Sequence, residues 1–210
     1  MDYLALNQKI YDQIAEEFKQ KITVRKSGDK KIVNKLSHYL KNISGAKILD
    51  TGPGNGQMAK MLCDKGFKVV GIEFSKPMAK IAKNTAPKMK LIVDNFITHD
   101  FGIEKFSGIL SIAFIHLFTK VDCQFVLNKI YSLLNNDGFA LISTTKHAAS
   151  EEGLSRKENF KNKPLRFRKK LTKDELNAML ENAKFNIIEY YENRDTENND
   201  KTWMNFVVKE

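Results

Sequence analysis

Hydrophobic positions near the start of the chain recur at the spacing of an α-helix. One series, in residues 4–21 and just beyond, is Leu4, Ile10, Ile14, Phe18 and Ile22; the next, in residues 29–43, is Ile32, Leu36, Tyr39, Leu40 and Ile43. Side chains three and four residues apart share one face of a helix, and that face can pack on a core. We therefore predict two amphipathic helices ahead of the rest of the chain.

From residue 46 onward, short apolar runs alternate with segments of helical periodicity. The apolar runs are residues 47–50, 69–73, 89–93, 108–115 and 139–144, and the helical segments are residues 56–65, 77–84 and 124–134. Short apolar runs are typical of buried strands, and intervening helices provide the right-handed crossovers that connect parallel strands. The order predicts a mainly parallel, doubly wound α/β sheet.

The end of the chain predicts one more helix and a hairpin. Thr172 and Glu175 have the spacing of a capping box, which begins a helix through Ala183. Strand-like runs at residues 185–191 and 202–208 follow, and the polar residues between them predict a turn.

These elements predict a Rossmann-like α/β fold with a doubly wound, seven-stranded sheet whose last strand is antiparallel. No internal repeat or flexible linker divides the 210 residues, so we predict a single domain, residues 1–210. Within it, residues 1–45 are expected to form two helices that cap the active site at the carboxyl edge of the sheet. Residues 46–210 are expected to form the Rossmann-like core.

The composition is that of an ordinary globular protein, with 42% hydrophobic and 29% charged residues. The longest apolar runs fall far short of the roughly 18–20 residues that span a membrane, and the first residues lack the basic-then-apolar order of a signal peptide. Cys63 and Cys123 are isolated, which argues against zinc. We predict a cytoplasmic protein, a monomer or homodimer, with no membrane partner and no bound metal.

The net charge of +10 raises the question of nucleic-acid binding. Residues 156–170 concentrate eight basic side chains against one acidic side chain. Such a segment is either a solvated surface loop or a patch that binds a polyanion, and the sequence leaves both interpretations open. A nucleic-acid partner is therefore possible but not favoured.

The sequence ILDTGPGNG, residues 48–56, ends a predicted strand at Asp50 and places Gly52, Gly54 and Gly56 at alternate positions before a helix. Glycine tolerates positive φ angles and lets a ligand approach the backbone closely. The dinucleotide fingerprint requires its third glycine one position later, and the Gly-Lys-Ser/Thr of the phosphate-binding P-loop is missing. Both of those nucleotide-phosphate motifs are therefore disfavoured.

Acidic residues end the next two predicted strands. Glu73 follows VVGI, where α/β nucleoside sites place a carboxylate for the ribose hydroxyls, although a surface helix cap is an alternative. Asp94 follows KLIV, where it can accept a hydrogen bond from an adenine amino group while Asn95 or Phe96 flanks the base. Three successive strand ends thus predict a nucleoside site.

These motifs resemble those of the class I S-adenosylmethionine-dependent methyltransferases over residues 44–209. The similar segments are ILDTGPGNG, GIEFS, VDNF, FSGILSIAFIHLF and LNNDGFALIST. IYDQIAEEF, RFRKKLTKDELNAMLENAKF and TWMNFVVK resemble the small-molecule branch that includes tellurite-resistance-type methyltransferases. The resemblance implies methyl transfer from S-adenosyl-L-methionine to a small-molecule acceptor, with S-adenosyl-L-homocysteine as product. A tRNA- or RNA-modifying methyltransferase that uses residues 156–170 is the alternative.

The resemblance also implies roles for individual residues. It assigns Gly52 and Gly54 to the methionine moiety, Glu73 to the ribose, Asp94 to the adenine, and the backbone of Ala113 to the methionine end. The other cofactor-binding residues expected from these motifs are Asp50, Phe74, Asn95 and Phe96.

His116 is the candidate catalytic base for a protonated acceptor. It directly follows the fourth predicted strand, at the edge where doubly wound sheets bind ligands, and its apolar neighbours should lower its pKa. A structural histidine that bonds to a loop is the competing interpretation.

Two further elements are expected to border the site. Tyr11 either closes over the cofactor or belongs to the apolar stripe of its helix. Residues 146–170 are long for a connection between a strand and a helix, which predicts a lid or recognition element. Within it, Arg166, Phe167 and Arg168 are expected to face the acceptor.

Overall fold

The computed structural model describes residues 1–21, 26–194 and 201–210. Ile22 of the first apolar series and most of the predicted turn at residues 192–200 lie outside the described residues. The helices are α1 (Tyr3–Lys21), α2 (Lys26–Leu40), α3 (Gln57–Asp64), α4 (Lys76–Thr85), α5 (Lys120–Leu133) and α6 (Lys173–Asn182). The strands are β1 (Lys47–Thr51), β2 (Lys68–Glu73), β3 (Lys90–Val93), β4 (Phe106–Ile112), β5 (Leu134–Thr145), β6 (Glu151–Arg156), β7 (Leu165–Lys170), β8 (Asn186–Arg194) and β9 (Thr202–Lys209).

In the described part of the chain, seven strands form one sheet in the order β3-β2-β1-β4-β5-β9-β8. Strands β1 to β5 pair in parallel, whereas β9 lies antiparallel between β5 and β8. This confirms the predicted seven-stranded sheet, its antiparallel last strand and the terminal hairpin. The order reverses beside β1, so the crevice for ligands opens at the carboxyl ends of β1 and β4.

Helices cover both faces of the sheet because successive strand residues point to opposite sides. Ile48 and Leu110 pack in one core with residues of α2 and α3, while Leu49 and Ile109 pack in another with residues of α5 and α6. Gly108 gives α2 room on its face, since a Cβ there would lie 2.6 Å from Leu40 Cδ1. The apolar side of α2 therefore packs on the sheet, and the predicted cap at the carboxyl edge is not confirmed for this helix.

Strand β4 is shorter than the predicted run of residues 108–115. It ends at Ile112, because Ala113 adopts a left-handed φ of 55° and turns the chain. Its backbone N–H still donates to the Ser143 carbonyl at 2.8 Å. Residues Ile115–Leu117 then form a 3₁₀ turn, so His116 lies on a turn and not directly at the end of the strand.

Residues 146–170 contain a second, two-stranded sheet. Strands β6 and β7 pair antiparallel, with Gly153 opposite Arg168 and Ser155 opposite Arg166. The long connection predicted here thus contains two strands that the sequence analysis did not predict. The strands escaped prediction because buried positions of β7 carry charged residues, Arg166 and Lys169, in place of the apolar residues that mark most strands.

Candidate functional site

A cavity of about 410 Å³ opens at the carboxyl edge of the main sheet. Its wall includes one residue from the end of each parallel strand or the turn that follows it: Gly52, Glu73, Asp94, Ala113 and Thr145. Helix α1 and the β6–β7 hairpin supply further walls. Seven segments of the chain thus converge on one ligand-sized space.

The glycine loop after β1 forms part of the cavity wall through Gly52 and Gly54. Gly52 has a φ of 76°, and its N–H donates to the Ile72 carbonyl at 2.9 Å, which joins the turn after β1 to strand β2. A Cβ at this position would lie 3.2 Å from the Phe114 ring. Any larger residue would be strained in backbone conformation and would crowd this part of the cavity wall.

Glu73 places a carboxylate on the wall at the end of β2. Its side chain is only 6% exposed, and Oε1 accepts a hydrogen bond from the Ser75 N–H at 3.0 Å. Burial raises the pKa of Glu73 to about 7, although hydrogen bonds from backbone N–H groups oppose the rise. The carboxylate is therefore held ready for hydrogen-bond donors from a ligand.

Asp50 differs from the other predicted cofactor residues, because it is not part of the cavity wall. Its carboxyl is 2% exposed, and Oδ2 has no hydrogen-bond partner among the described residues. Burial, together with the negative charge of Glu73, raises the pKa of Asp50 to about 7. Its predicted role in cofactor binding stays a prediction.

The wall after β3 combines an acid with aromatic rings. Asp94 Oδ2 lies 2.8 Å from His99 Nδ1, and this hydrogen bond is the main cause that lowers the pKa of Asp94. Phe96 is buried, with its ring centroid 5.5 Å from that of Phe114 in an edge-to-face arrangement. Asn95 also lines the wall, and its Oδ1 accepts from the Ile97 N–H at 2.9 Å.

Helix α1 is fastened over the turn that follows β2. Gln8 Nε2 donates to the Phe74 carbonyl at 2.9 Å, and Ser75 Oγ donates to Asp12 Oδ1 at 2.6 Å. The Tyr11 ring lies 6.1 Å from the Phe74 ring, and both line the cavity. Tyr11 thus lies on the cavity wall and also packs against the apolar cluster around Ile10 and Ile14, and its predicted role over the cofactor stays a prediction.

His116 lies on the cavity wall with only 5% of its surface exposed. Its Nδ1 is 3.0 Å from Thr144 Oγ1. Burial lowers the pKa of His116 well below its ordinary value, and the positive charges of Arg168 and Arg166 add to the effect. The predicted direction of the shift is confirmed; the prediction rested on apolar neighbours alone, and the charges of the two arginines are an additional cause.

Alternation along β7 separates the three residues that were expected to face the acceptor. Arg166 and Arg168 line the cavity, whereas Phe167 points the other way, where its ring centroid lies 4.6 Å from that of Tyr3. The prediction for Phe167 is therefore wrong. Arg168 Nη2 donates to Thr145 Oγ1, and burial lowers the pKa of Arg168 to about 10.

Sequence reasoning missed two residues of this wall. Asn7 is 1% exposed and bonds to the backbone of Phe167, which fixes α1 to β7. Trp203 stands opposite Thr145 in the β5–β9 register and faces the cavity beside it. Trp203 is the one tryptophan of the sequence and lies at the start of the last predicted strand, which is the signal that could have indicated it as a candidate site residue.

The known proteins that the chain resembles agree with this architecture. Residues 48–138 match a family described as a methyltransferase domain. An uncharacterized methyltransferase of Alkaliphilus oremlandii is 33% identical over 144 residues, which are 69% of this chain, and the chain spans only 60% of that relative. The small-subunit ribosomal RNA methyltransferase A of Mycoplasmopsis synoviae is 31% identical over 117 residues, 54% of this chain and 44% of the relative.

A solved structure gives the fold match. The 1,6-didemethyltoxoflavin-N1-methyltransferase of Burkholderia thailandensis, with bound 1,6-didemethyltoxoflavin and S-adenosylhomocysteine, superposes with a TM-score of 0.80 at 17% identity, over 100% of this chain and 89% of that one. The chain has the Rossmann-like fold of the class I methyltransferases. Together with the family match, this supports a class I methyltransferase domain.

Two negative findings concern the described residues 1–21, 26–194 and 201–210. None of their helices combines the length and the apolar character needed to cross a bilayer. No three or more of their His, Cys, Asp and Glu side chains are grouped so that they could bind a metal ion.

Proposed function

We propose that this chain is an S-adenosylmethionine-dependent methyltransferase that methylates a small-molecule acceptor. One observation carries the proposal: a single cavity joins residues suited to a nucleoside with a second group of polar and charged residues. Glu73, Asp94 and Phe96 lie at the ends of β2 and β3, while His116 and two arginines line the side toward β5 and β7. A donor and an acceptor can therefore be held side by side.

The residues present fit S-adenosylmethionine. Glu73 offers a buried carboxylate that can accept from both ribose hydroxyls, and Asp94 and Asn95 offer polar groups beside the aromatic wall at Phe96. The left-handed turn at Gly52 leaves room for the methionine portion close to the backbone. We infer that Tyr11, which lies over Phe74, shields this portion from water.

The bound sulfonium supplies an activated methyl group, so the chain's own task is to align and desolvate the acceptor. A cofactor held by Glu73, Asp94 and the turn at Gly52 would supply the methyl carbon, retain the carbon–sulfur electron pair and leave as S-adenosylhomocysteine. The acceptor's proton leaves to a base or to water. His116 is neutral at physiological pH because its pKa is lowered, and when Nδ1 donates to Thr144, Nε2 is free to accept that proton.

The position of the basic run supports a small acceptor over RNA. Arg166 and Arg168 line the cavity, and Lys169 is 3% exposed and paired with Glu175 at 3.0 Å. These three of the eight cations of the run are thus buried or line the cavity, where they cannot contact the phosphate backbone of an RNA helix, although Arg156, Lys161 and Lys163 are exposed.

Two measurements test the proposed function. Calorimetry should detect S-adenosylhomocysteine binding to the wild-type chain. The protein should also form S-adenosylhomocysteine when it is incubated with S-adenosylmethionine and a pool of candidate acceptors that contains its substrate. The pools are to be screened with and without RNA at several salt concentrations. Turnover that requires RNA and falls steeply with salt would favour the nucleic-acid alternative; absence of cofactor binding would overturn both.

A further inference from the structure

Arg166 is a buried cation whose nitrogens are incompletely bonded. Its side chain lies on the cavity wall with 5% of its surface exposed, and Nε and Nη1 have no hydrogen-bond partner among the described residues. Arg168 Nε is also without a partner there. A buried charge without a counter-charge is strongly unfavourable, so a site of this kind is completed by an anion.

The acids on the cavity wall do not supply that counter-charge. Glu73 and Asp94 stand at the nucleoside side, and Asp94 is already bonded to His99. Glu158 also lines the wall, but its carboxylate pairs with Lys163 at 2.9 Å. No ion pair of Arg166 or Arg168 with an acid occurs in the described part of the chain, although three more basic residues line the same cavity: Arg156, Lys157 and Lys201.

The two arginines are held in place before any ligand arrives. The backbone of Phe167, between them, bonds to Asn7 through both its N–H and its carbonyl, at 2.9 and 3.3 Å. Arg168 is further fixed by its bond to Thr145, beside Trp203. A preorganised guanidinium pair loses little conformational freedom on binding and matches the planar geometry of oxyanions.

We propose that the methyl acceptor is an anionic small molecule, whose carboxylate or phosphate oxygens are bound by Arg166 and Arg168 while its body lies toward Trp203. Binding of the anionic group by the two arginines orients the acceptor toward His116. This inference rests on the proposed function and deepens it by naming the acceptor's chemical class.

The test compares charged and neutral probes of the same shape. Benzoate, benzamide, phenyl phosphate and inorganic phosphate are titrated into the wild-type protein saturated with S-adenosylhomocysteine, and binding is followed by melting temperature and calorimetry. Benzoate or phenyl phosphate should bind at least tenfold more tightly than benzamide. The tighter binder of benzoate and phenyl phosphate shows whether the arginines prefer a carboxylate or a phosphate group. Binding of inorganic phosphate shows whether the anionic group binds without the aromatic ring.

A variant pair then locates the site. Arg166→Gln should weaken binding of the preferred anion at least tenfold, whereas Lys170→Gln, which removes an exposed cation of the same strand paired with Glu151, should leave it unchanged. If neither benzoate nor phenyl phosphate binds the wild-type protein more tightly than benzamide, or if no probe binds, the inference is overturned whatever the variants do. If S-adenosylhomocysteine binds and the anions do not, the proposed function stands and this inference fails; if anions bind and S-adenosylhomocysteine does not, the proposed function fails.

Discussion

Asn7 and Phe167, 160 positions apart in sequence, are joined by two hydrogen bonds. Asn7 Oδ1 accepts from the Phe167 N–H at 2.9 Å, and Asn7 Nδ2 donates to the Phe167 carbonyl at 3.3 Å. The same amide nitrogen also lies 3.2 Å from the Leu117 carbonyl, on the turn that carries His116. One side chain therefore connects α1, the β6–β7 hairpin and the turn after β4.

Asn7→Ala should destabilise the protein by about 1–3 kcal/mol, because buried backbone groups of β7 lose their partners. Urea unfolding measures the change, and Asn177→Ala on the exposed side of α6 is the matched control, with an expected change within about 0.5 kcal/mol. Equal stability of the two variants would mean that the Asn7 bonds contribute no net stability.

Glu73→Ala should weaken S-adenosylhomocysteine binding about ten- to hundredfold, the scale of hydrogen bonds to a charged group. Calorimetry on the folded variant measures the affinity. Glu104→Gln removes a carboxylate that pairs with Lys47 away from the cavity and serves as the control. Unchanged affinity in Glu73→Ala would refute its assignment to the ribose.

The ligand-free protein should lose stability as the pH rises from about 6.5 to 8.5. Asp50 and Glu73 have folded-state pKa values of about 7, well above those of an unfolded chain, so the folded state binds more protons than the unfolded state. Ionisation of each carboxyl group over this range should therefore lower the free energy of unfolding by about 1 kcal/mol. His116 and His147 act in the opposite direction only at lower pH, because their folded-state pKa values are lowered.

Asp50→Asn isolates this effect. The variant removes one of the two carboxyl groups that titrate near neutrality. Its free energy of unfolding in urea should therefore vary less with pH than that of the wild type. An unchanged pH dependence would show that Asp50 does not titrate near neutrality.

His116→Gln should leave cofactor affinity intact and lower turnover about a hundredfold, within the range attributed to general bases. Since the pKa of His116 is lowered well below its ordinary value, the wild-type rate should show no rise through pH 6.5 due to this residue. Thr144→Val, which removes its partner at 3.0 Å, should give a smaller loss. Turnover at the wild-type level in both variants would make His116 a structural residue.

Much of the fold could be predicted because the central parallel strands, such as β1 and β4, contain leucine and isoleucine and are buried on both faces. The ends of the first three parallel strands carry the glycines and acids of the site. The β6–β7 hairpin was missed because buried positions of β7 carry the charged residues Arg166 and Lys169. In a sequence, such residues are typical of a solvent-exposed loop. Ala113 offers no chemical sign of its left-handed turn. Asn7 is a polar residue of an amphipathic helix, and only the tertiary structure shows that it is buried.

The cavity divides its two tasks between different stretches of the chain. Residues 48–138, the part that matches a methyltransferase domain, contain Glu73, Asp94 and Phe96. The guanidinium groups and Trp203 come from later segments, and Asn7 from an earlier one. Under the proposed function, exchange of the later segments between related proteins would alter which acceptor is methylated while Glu73, Asp94 and Phe96 stay in place, so relatives that share these central residues can diverge in substrate.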